Sequence, residues 1–319
     1  MNKILITGGL GVVGRHLTSI LRRRGHEVWT ADHRHHHDAL HLRCDVGSYR
    51  QVERMLDGRD FDYVYHLAAE FGRWNGEDYY DTLWRTNATG TKNLLRMQEQ
   101  LGFRLIFSSS SEVYGDYDGV MVESVMDELE IRQLNDYAMT KWVNEQQIMN
   151  SASMFGTESV RVRLFNTYGP GEYYSPYRSV NCLFTYRALK GLAYTVYLGH
   201  HRTSSYITDT CDTLANIVDN FVPGEVYNIA STEYHDVKTL SDLILAAVGI
   251  DDSLVEYKEA EPFTTRDKRV DVTKALRDLR HAPQVSLEEG IARTVAWMRE
   301  AYGLERPKGA AASGRTPRA

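Results

Sequence analysis

Cysteine is scarce in this chain. Cys44, Cys182 and Cys211 are widely separated along the 319 residues, and their spacing forms neither a zinc-binding motif nor a disulfide framework. We therefore expect a reducing compartment, the cytoplasm. Residues 1–6 run directly into an apolar segment, so we also expect no signal peptide.

Long apolar runs and an excess of positive charge are also lacking. No apolar run approaches the ~18 residues that a membrane-spanning helix requires. The net charge of −6 offers no basic surface for nucleic acid. We therefore expect neither a membrane nor a nucleic acid as a partner. With 42% hydrophobic and 25% charged residues, the composition is ordinary for a globular protein.

Strand and helix patterns alternate between residues 3 and 165. This alternation predicts an α/β fold, in which crossover helices connect the strands of a parallel sheet. The predicted strands are 3–7, 27–31 with its end at Asp32, a third strand that ends at 44–46, then 63–69, 104–107 and 160–165, with one more at 225–230. The predicted helices include 15–24, 239–248 and 287–302. After residue 170 the alternation is less regular, which indicates a second, smaller unit.

Three glycines follow the first predicted strand. Gly8, Gly11 and Gly14 give the pattern G-x-x-G-x-x-G between a strand and a helix. Glycine permits a tight turn and the close approach of a pyrophosphate, and the helix N-terminus offers free N–H groups and a positive dipole end. The motif therefore predicts a dinucleotide site, in which we include Val12 and Val13.

Asp32 ends the second predicted strand. A carboxylate there accepts hydrogen bonds from the adenosine ribose and repels a 2′-phosphate, which favours NAD over NADP. Arg34 follows closely, and a nearby arginine is the residue that would serve a 2′-phosphate. The histidine-rich stretch 33–37 is expected to be a solvated loop, with adventitious nickel or zinc binding as the alternative, and we predict no resident metal.

Other strand ends contribute to the predicted cofactor site. Asp45 and Val46 are placed to contact the adenine, and the small Ala68 and Ala69 leave room for pyrophosphate and ribose. Ser108 follows the strand at 104–107, and polar side chains at the carboxyl end of a parallel strand lie where doubly wound sheets bind ligands.

Tyr137 and Lys141 lie four residues apart at the start of a helical pattern, so they share one face. An ammonium beside a phenol favours the phenolate, and we expect it to lower the Tyr137 pKa from its usual value of about 10. Such a phenolate takes a proton from a sugar hydroxyl near neutral pH. Because this spacing is also common on surface helices, the catalytic interpretation depends on the other motifs.

Taken in order, these segments resemble the extended short-chain dehydrogenase/reductase family of NAD-dependent nucleotide-sugar epimerases, dehydratases and decarboxylases. The resemblance extends from about residue 3 to about residue 300. The matching motifs are Thr7-Gly8-Gly9-x-Gly11-x-x-Gly14, Asp32, His66-Leu67-Ala68-Ala69, Asn87-x-x-Gly90-Thr91, Ser108-Ser109-Ser110, Tyr137-x-x-x-Lys141, Arg163-x-x-Asn166-x-Tyr168-Gly169-Pro170, Arg202-x-x-x-Tyr206-Ile207-x-Asp209, Tyr227-Asn228-Ile229, Asp271-x-x-Lys274-Ala275 and Leu287-Glu288-Glu289-Gly290.

The resemblance implies a Rossmann-like doubly wound parallel sheet with a smaller C-terminal α/β substrate-binding domain. The implied NAD-binding domain is 1–165, with returns near 203–230. Segments 166–202 and 231–304 form the implied nucleotide-sugar-binding domain, and 305–319 is expected to be a flexible tail. A homodimer formed through the helices around 90–102 and 137–152 is also implied.

The resemblance also implies the roles of single residues. Tyr137 would take the proton of the sugar 4-hydroxyl while C4 gives hydride to NAD⁺, Lys141 would bind the nicotinamide ribose and keep Tyr137 acidic, and Ser110 would relay the proton. Leu67 and Asn87 would join the cofactor site.

Substrate contacts are implied by the same resemblance. Asn166 would reach the diphosphate or sugar, Arg202 would bind the diphosphate, and Arg266 or Arg269 would make a second phosphate or ribose contact. Segment 173–181 either lines the sugar or base pocket, through Tyr177, Arg178 and Asn181, or is a tyrosine-rich packing loop.

Ser111 and Glu112 bear on which reaction follows oxidation at C4. The related 4,6-dehydratases carry Asp-Glu here and the decarboxylases carry Thr-Ser-Glu, so Ser110-Ser111-Glu112 is most similar to the uronate decarboxylases. Glu112 could also act as a base at C5. Decarboxylation is our first expectation, with 4,6- or 5,6-dehydration and 4-, 5- or 3,5-epimerisation as alternatives. A regulatory protein that binds NAD without catalysis is the non-enzyme alternative.

Overall fold

Seven parallel strands form the central sheet. The structure is a computed structural model that describes residues 1–259, 261 and 264–304, so the predicted tail at 305–319 lies outside the described residues. In chain order, and including the short strands outside the central sheet, the described residues form β1 (Lys3–Thr7), β2 (Glu27–Asp32), β3 (His41–Arg43), β4 (Tyr63–His66), β5 (Arg104–Ser110), β6 (Ser159–Leu164), β7 (Thr167–Tyr168), β8 (Tyr194–Tyr197), β9 (His201–Thr203), β10 (Ser205–Tyr206), β11 (Val226–Ile229), β12 (Tyr234–Asp236) and β13 (Val255–Lys258).

Helices cover both faces of this sheet. They are α1 (Val12–Arg23), α2 (Tyr49–Leu56), α3 (Arg73–Asp78), α4 (Tyr80–Trp84), α5 (Gly90–Leu101), α6 (Val125–Glu128), α7 (Asp136–Phe155), α8 (Val180–Lys190), α9 (Ile207–Asn216), α10 (Val237–Val248), α11 (Thr273–Asp278) and α12 (Leu287–Ala301). A π-helical turn (Arg85–Thr89) leads into α5, and a 3₁₀ turn (Ser111–Tyr114) follows β5. No helix of the described part is long and apolar enough to span a bilayer.

The strand order across the sheet is β3-β2-β1-β4-β5-β6-β11, and every neighbouring pair is parallel. The chain therefore builds outward from β1 in one direction and from β4 in the other. Ligands of doubly wound sheets bind outside the carboxyl ends of the strands at such a switch point. The predicted Rossmann-like α/β fold is confirmed.

Strand β1 shows why the sheet is buried on both faces. Ile4, Leu5 and Ile6 are all fully buried. Ile4 and Ile6 pack in one core with residues of α1 and α9, and Leu5 packs in a second core with residues of α2 and α5. A continuous apolar run of this kind is typical of a parallel strand between two helical layers.

Three predicted strand ends were wrong. β5 continues to Ser110, because Ser108–Ser110 pair in register with Val162–Leu164 of β6, and backbone pairing does not depend on side-chain polarity. β4 ends at His66, where its neighbour β1 also ends. Cys44–Val46 lies beyond β3, which ends at Arg43.

The chain after β6 forms smaller sheets beside the carboxyl edge of the main sheet. β7 pairs with β10, β8 with β13 and β9 with β12. Helices α8, α10 and α12 pack against one another. The predicted helices 239–248 and 287–302 correspond to α10 and α12 and are confirmed, as is the returning strand β11.

Candidate active site

The turn between β1 and α1 requires glycine for steric reasons. Gly8 has a φ of +70°, and a Cβ added there would lie 2.7 Å from the Ala68 nitrogen. A Cβ on Gly14 would lie 2.4 Å from the Gly8 carbonyl oxygen. Gly11 is the N-cap of α1 and donates its own N–H to the Gly8 carbonyl oxygen at 3.0 Å.

This turn leaves the N-terminus of α1 facing the switch point. Val12 and Val13 open the helix, and the first N–H groups of any helix lack partners within it. The residues after β4 lie against the same turn, since atoms of Leu67 and Ala68 are the nearest to a Cβ built on Gly8, with Ala69 next in the chain. A narrow cradle of backbone N–H groups beside a helix N-terminus fits a pyrophosphate.

Asp32 lies buried at the carboxyl end of β2, with 6% of its surface exposed. It accepts hydrogen bonds from the Leu10 N–H at 3.2 Å and from the Arg34 N–H and Nε at 3.1 and 3.0 Å. Burial acts to raise its pKa, but the hydrogen bonds and charge of Arg34 outweigh burial and hold the pKa below its usual value. Arg34 is thus engaged with the carboxylate that we expect to bind ribose.

Asp45, Val46 and Asn87 surround the far side of this region. Asp45 accepts a hydrogen bond from Arg85 at 2.9 Å, and Val46 packs against Gly90. The Asn87 amide is engaged at both ends, because it accepts from the Glu70 N–H at 2.8 Å and donates to Thr140 Oγ1 at 3.0 Å. Asn87 therefore ties the segment after β4 to α7.

Helix α7 carries Tyr137 and Lys141 on one face. Asn135 caps it by accepting the Ala138 N–H at 2.9 Å. Lys141 is 3% exposed and donates from Nζ to the Ser108 carbonyl at 2.8 Å. The same Nζ lies 5.8 Å from the centre of the Tyr137 ring.

The predicted effect of Lys141 on Tyr137 was wrong for this state of the site. Burial raises the pKa of Tyr137 to about 12, a hydrogen bond with Ser110 opposes that shift, and the Glu112 charge adds to it. Burial also lowers the pKa of Lys141 to about 7, against the opposing charge of Glu145. Desolvation makes the largest contribution to both pKa shifts, because Lys141 is buried and Tyr137 is partly buried.

Glu112 lies one residue beyond Ser111 in the 3₁₀ turn after β5. Its N–H donates to Ser110 Oγ at 3.2 Å, and its carboxylate forms an ion pair with Lys268. Burial acts to raise the Glu112 pKa, but the charge of Lys268, with Arg202 and Arg73 further away, lowers it to about 2. The structure therefore brings Ser110, Ser111 and Glu112 to the N-terminal end of α7, with Glu112 ionised at neutral pH.

Lys268 is a site residue that sequence reasoning missed. It is 3% exposed, whereas Arg266 and Arg269 on either side of it are exposed. Of the cations in this stretch, the structure brings Lys268 to Glu112 and leaves the two predicted arginines at the surface. Lys268 lies 156 residues from Glu112 in the chain, so no local motif signals the pair.

Arg202 lies in β9, and Asn166 lies between β6 and β7. Arg202 is 5% exposed and donates from Nη1 to the carbonyls of His201 and Arg266 at 2.8 and 2.9 Å. Asn166 follows β6 with a φ of +36°. Asparagine tolerates this left-handed conformation better than most residues, which accounts for its presence at this sharp bend.

Segment 173–181 packs across the cleft. The Tyr177 hydroxyl donates to Asp78 at 3.0 Å, and the Arg178 guanidinium lies 4.1 Å from the centre of the Phe71 ring. Asn181 is fully buried at the start of α8, and its amide atoms have no partner among the described residues. Segment 173–181 therefore shows packing contacts at Tyr177 and Arg178. It also holds the buried Asn181 side-chain amide, which has no hydrogen-bond partner among the described residues.

The described residues contain no group of three or more His, Cys, Asp or Glu side chains that could hold a metal ion. In the histidine-rich loop, the His35 and His37 rings lie 5.1 Å apart edge to face.

Fold and site together define an NAD-dependent enzyme of the short-chain dehydrogenase/reductase class. The model of the "NAD dependent epimerase/dehydratase family" matches residues 4–230. The chain belongs to this family, and NAD is its cofactor.

Similar proteins include members with different reactions. The chain is 30% identical to UDP-glucuronic acid decarboxylase 1 of Xenopus tropicalis, over 93% of this chain and 72% of that protein. UDP-glucose 4-epimerase of Thermotoga maritima, solved with UDP-glucose, superposes with a TM-score of 0.86 at 27% identity, covering 94% and 99% of the two chains. MoeE5, solved with UDP-glucuronic acid and NAD, gives 0.84 at 26%, with the same coverage.

Proposed function

We propose that this protein decarboxylates a UDP-hexuronic acid. The observation that carries the proposal is the ion pair of the partly buried Glu112 with the buried Lys268 at the head of α7. Glu112 is held as a carboxylate, since its pKa is about 2, so it has no proton to give to a leaving hydroxyl. The neighbouring Ser111 supplies no acid either, and dehydration is therefore disfavoured.

The cofactor, when bound, supplies a hydride acceptor for C4 of the sugar and later returns that hydride. Tyr137 accepts the proton of the 4-hydroxyl, with Ser110 as its hydrogen-bond partner. Lys141 Nζ lies 5.8 Å from the centre of the Tyr137 ring, and in its charged form within the complete complex it stabilises the phenolate as it forms. Ser110 and Tyr137 then hold the oxygen of the C4 ketone.

Oxidation at C4 turns a uronic acid into a β-keto acid, because the C4 ketone and the C6 carboxylate are then both attached to C5. The C5–C6 bond breaks, carbon dioxide leaves, and the electron pair passes to the C4 oxygen that Tyr137 and Ser110 bind. Solvent supplies the proton that then returns to C5, delivered through a water molecule held by Glu112 and Lys268. This chemistry needs oriented hydrogen bonds to one oxygen, which Ser110 and Tyr137 are positioned to provide.

Epimerisation at C4 is the second candidate. It is favoured by the likeness to the Thermotoga maritima 4-epimerase, and it requires little beyond Ser110, Tyr137 and Lys141. It leaves Glu112 and Lys268 without a chemical role.

Incubation with UDP, dTDP, GDP and CDP sugars and uronic acids separates these reactions. We expect the product of UDP-glucuronic acid to have lost carbon dioxide by mass spectrometry. Loss of water would support a dehydratase instead. An unchanged mass with an altered sugar NMR spectrum would support the epimerase and contradict decarboxylation.

We also propose a cytoplasmic homodimer, in which α5 and α7 of two copies form the interface. Met139 and Phe155 on α7 and Leu101 at the end of α5 are exposed apolar residues that support this arrangement. In the same way, we propose that the sugar nucleotide lies between the main sheet and segments 166–202 and 231–304. Light scattering of the purified protein, which measures its molar mass in solution, tests the dimer.

A further inference from the structure

Residues 70–80, which we call the bridging segment, connect the two sides of the cleft. Asp78 accepts a hydrogen bond from the Tyr177 hydroxyl, and the Phe71 ring packs against the Arg178 guanidinium. A Cβ added to Gly72 would lie 2.6 Å from the Tyr177 carbonyl oxygen. The bridging segment thus packs closely on the loop before α8.

The same segment touches the start of α7. The Asp136 N–H donates to Glu77 at 3.4 Å, and a Cβ added to Gly76 would lie 3.3 Å from the Tyr137 nitrogen. Helix α3 therefore lies against the start of α7, which carries the proposed proton acceptor Tyr137. Arg73 is the first residue of α3.

Arg73 is largely buried, with 14% of its side chain exposed, and its Nη2 forms an ion pair with Glu261. Its Nε is buried and has no acceptor among the described residues. An unsatisfied buried donor is costly, and such groups mark places where a ligand or water is missing. Within the described part of the chain, the Arg73 Nε–H is therefore left for an acceptor that the fold itself does not provide.

Two other cations, Lys268 and Arg202, contribute to the low pKa of Glu112. Lys268 is paired with Glu112, and Arg202 donates to two backbone carbonyls. The charge of Arg73 also acts on Glu112, because it contributes to the low pKa of that carboxyl group. Arg73 is thus a cation near Glu112 whose Nε–H remains available to a ligand.

We propose that Arg73 binds the C6 carboxylate of the substrate and so selects a uronic acid over a neutral hexose. This inference rests on the proposed function. A guanidinium offers Nε–H and an adjacent Nη–H in a fork that matches the two oxygens of a carboxylate. Glu261 holds the fork in place. The substrate carboxylate satisfies the free Nε–H.

Binding of UDP-glucuronic acid, UDP-glucose and UDP to the NAD-loaded protein tests this role by calorimetry, with every variant made in a Tyr137→Phe background so that the ligands are not converted. We expect Arg73→Met to weaken UDP-glucuronic acid binding by about tenfold or more, with UDP-glucose and UDP changed by less than about twofold. Arg73→Lys keeps the charge without the fork, and we expect an intermediate loss. Arg96→Met removes a surface arginine that pairs with Glu99 and serves as the matched control.

An equal loss for UDP-glucose and UDP-glucuronic acid would overturn the assignment, because Arg73 would then act only by holding the cleft together. Unchanged binding of UDP-glucuronic acid to Arg73→Met would also overturn it. The two proposals fail separately. If Arg73→Met still releases carbon dioxide with an unchanged KM, the role of Arg73 alone is refuted. If wild type releases no carbon dioxide but Arg73→Met loses the preference for the uronic acid, decarboxylation alone is refuted.

Discussion

Tyr137 is partly buried, and the loss of solvent around its phenol raises its pKa to about 12. Lys141 is buried as well, and its pKa lies near 7, so burial favours the neutral form of both side chains. A bound cofactor and substrate add hydrogen bonds and charge to this cleft. Phenolate formation therefore depends on the complete complex rather than on the Tyr–Lys spacing alone.

Replacing Tyr137 by Phe removes the proposed proton acceptor. General acid–base groups typically contribute between about 100-fold and 10,000-fold, and we expect kcat to fall by that much with NAD binding preserved. The measurement is turnover of the sugar nucleotide that wild type converts. Tyr49→Phe, on α2 and 39% exposed, is the control. Activity that survived in Tyr137→Phe would contradict the assignment.

Lys141 makes stability depend on pH in a definite direction. Its pKa is about 7 in the fold and 10.5 in a solvated reference such as the unfolded chain. Between these values the unfolded chain binds more protons, so the free energy of unfolding of the wild type rises with pH. Lys141→Met lacks this contribution.

We therefore expect Lys141→Met to be stabilised relative to wild type near pH 7 and this advantage to shrink as the pH approaches about 10. Urea unfolding of both proteins across that range measures the difference. Lys92→Met, on the exposed surface of α5, should show no such trend. A difference that stays constant with pH would show that Lys141 is charged in the fold throughout.

Sequence reasoning found the residues whose spacing is local. Tyr137 and Lys141 share a helix face, and Ser110 to Glu112 are consecutive. Lys268 was missed as a site residue because its partner, Glu112, is 156 residues away. Such pairs depend on the tertiary structure, which residue types alone do not specify.

At the scale of elements, the turn from β1 into α1 is the most constrained part of the cofactor site. The Cβ distances at Gly8 and Gly14 involve backbone atoms, so neither neighbour can move aside as a flexible side chain would. The pattern of glycines predicted this turn because steric requirements are local. Strand ends were predicted less well, since β5 ends where its partner β6 ends.

Gly14→Ala should therefore impair NAD binding. The new Cβ would lie 2.4 Å from the Gly8 carbonyl, and α1 must shift away from the turn that cradles the pyrophosphate. We expect NAD affinity to fall by at least about tenfold, since the backbone approach requires glycine. Fluorescence titration with NADH measures it.

Gly102→Ala is the matched control for this substitution. Gly102 caps α5 with a φ of +73°, and a Cβ there meets no atom within 4 Å. We expect a stability loss of about 1 kcal/mol from the left-handed conformation, with unchanged NADH affinity. Equal NADH affinity in Gly14→Ala and Gly102→Ala would contradict the assigned role of the turn.

At the scale of the whole molecule, a buried ion pair connects α7 to the sheet. Glu145 is fully buried and bonds Arg163 of β6 at 2.8 and 3.0 Å and Ser109 of β5 at 2.5 Å. Tyr114 accepts another hydrogen bond from Arg163 at 2.9 Å. Because Glu145 shares α7 with Tyr137, this network sets where the proposed proton acceptor lies relative to Ser110.

Arg163→Met should destabilise the protein by about 3 kcal/mol or more, because it leaves a buried carboxylate without its main partner. Arg161, 3.6 Å from Glu145, compensates in part. Chemical denaturation measures the loss. We expect the double variant Glu145→Leu/Arg163→Met to recover much of it.

The exposed pair of Arg104 and Glu158 provides the comparison, and Arg104→Met should cost less than about 1 kcal/mol. A similar small cost for Arg163→Met would show that Glu145 is readily rehydrated or protonated in the fold.

The proposed reaction as a whole is tested most directly with UDP-glucuronic acid that carries deuterium at C4. We expect a product that has lost carbon dioxide and retains the deuterium at C4, because the hydride removed from C4 returns to it before release. A product of unchanged mass, or one that has lost carbon dioxide together with the deuterium, would contradict the proposed reaction.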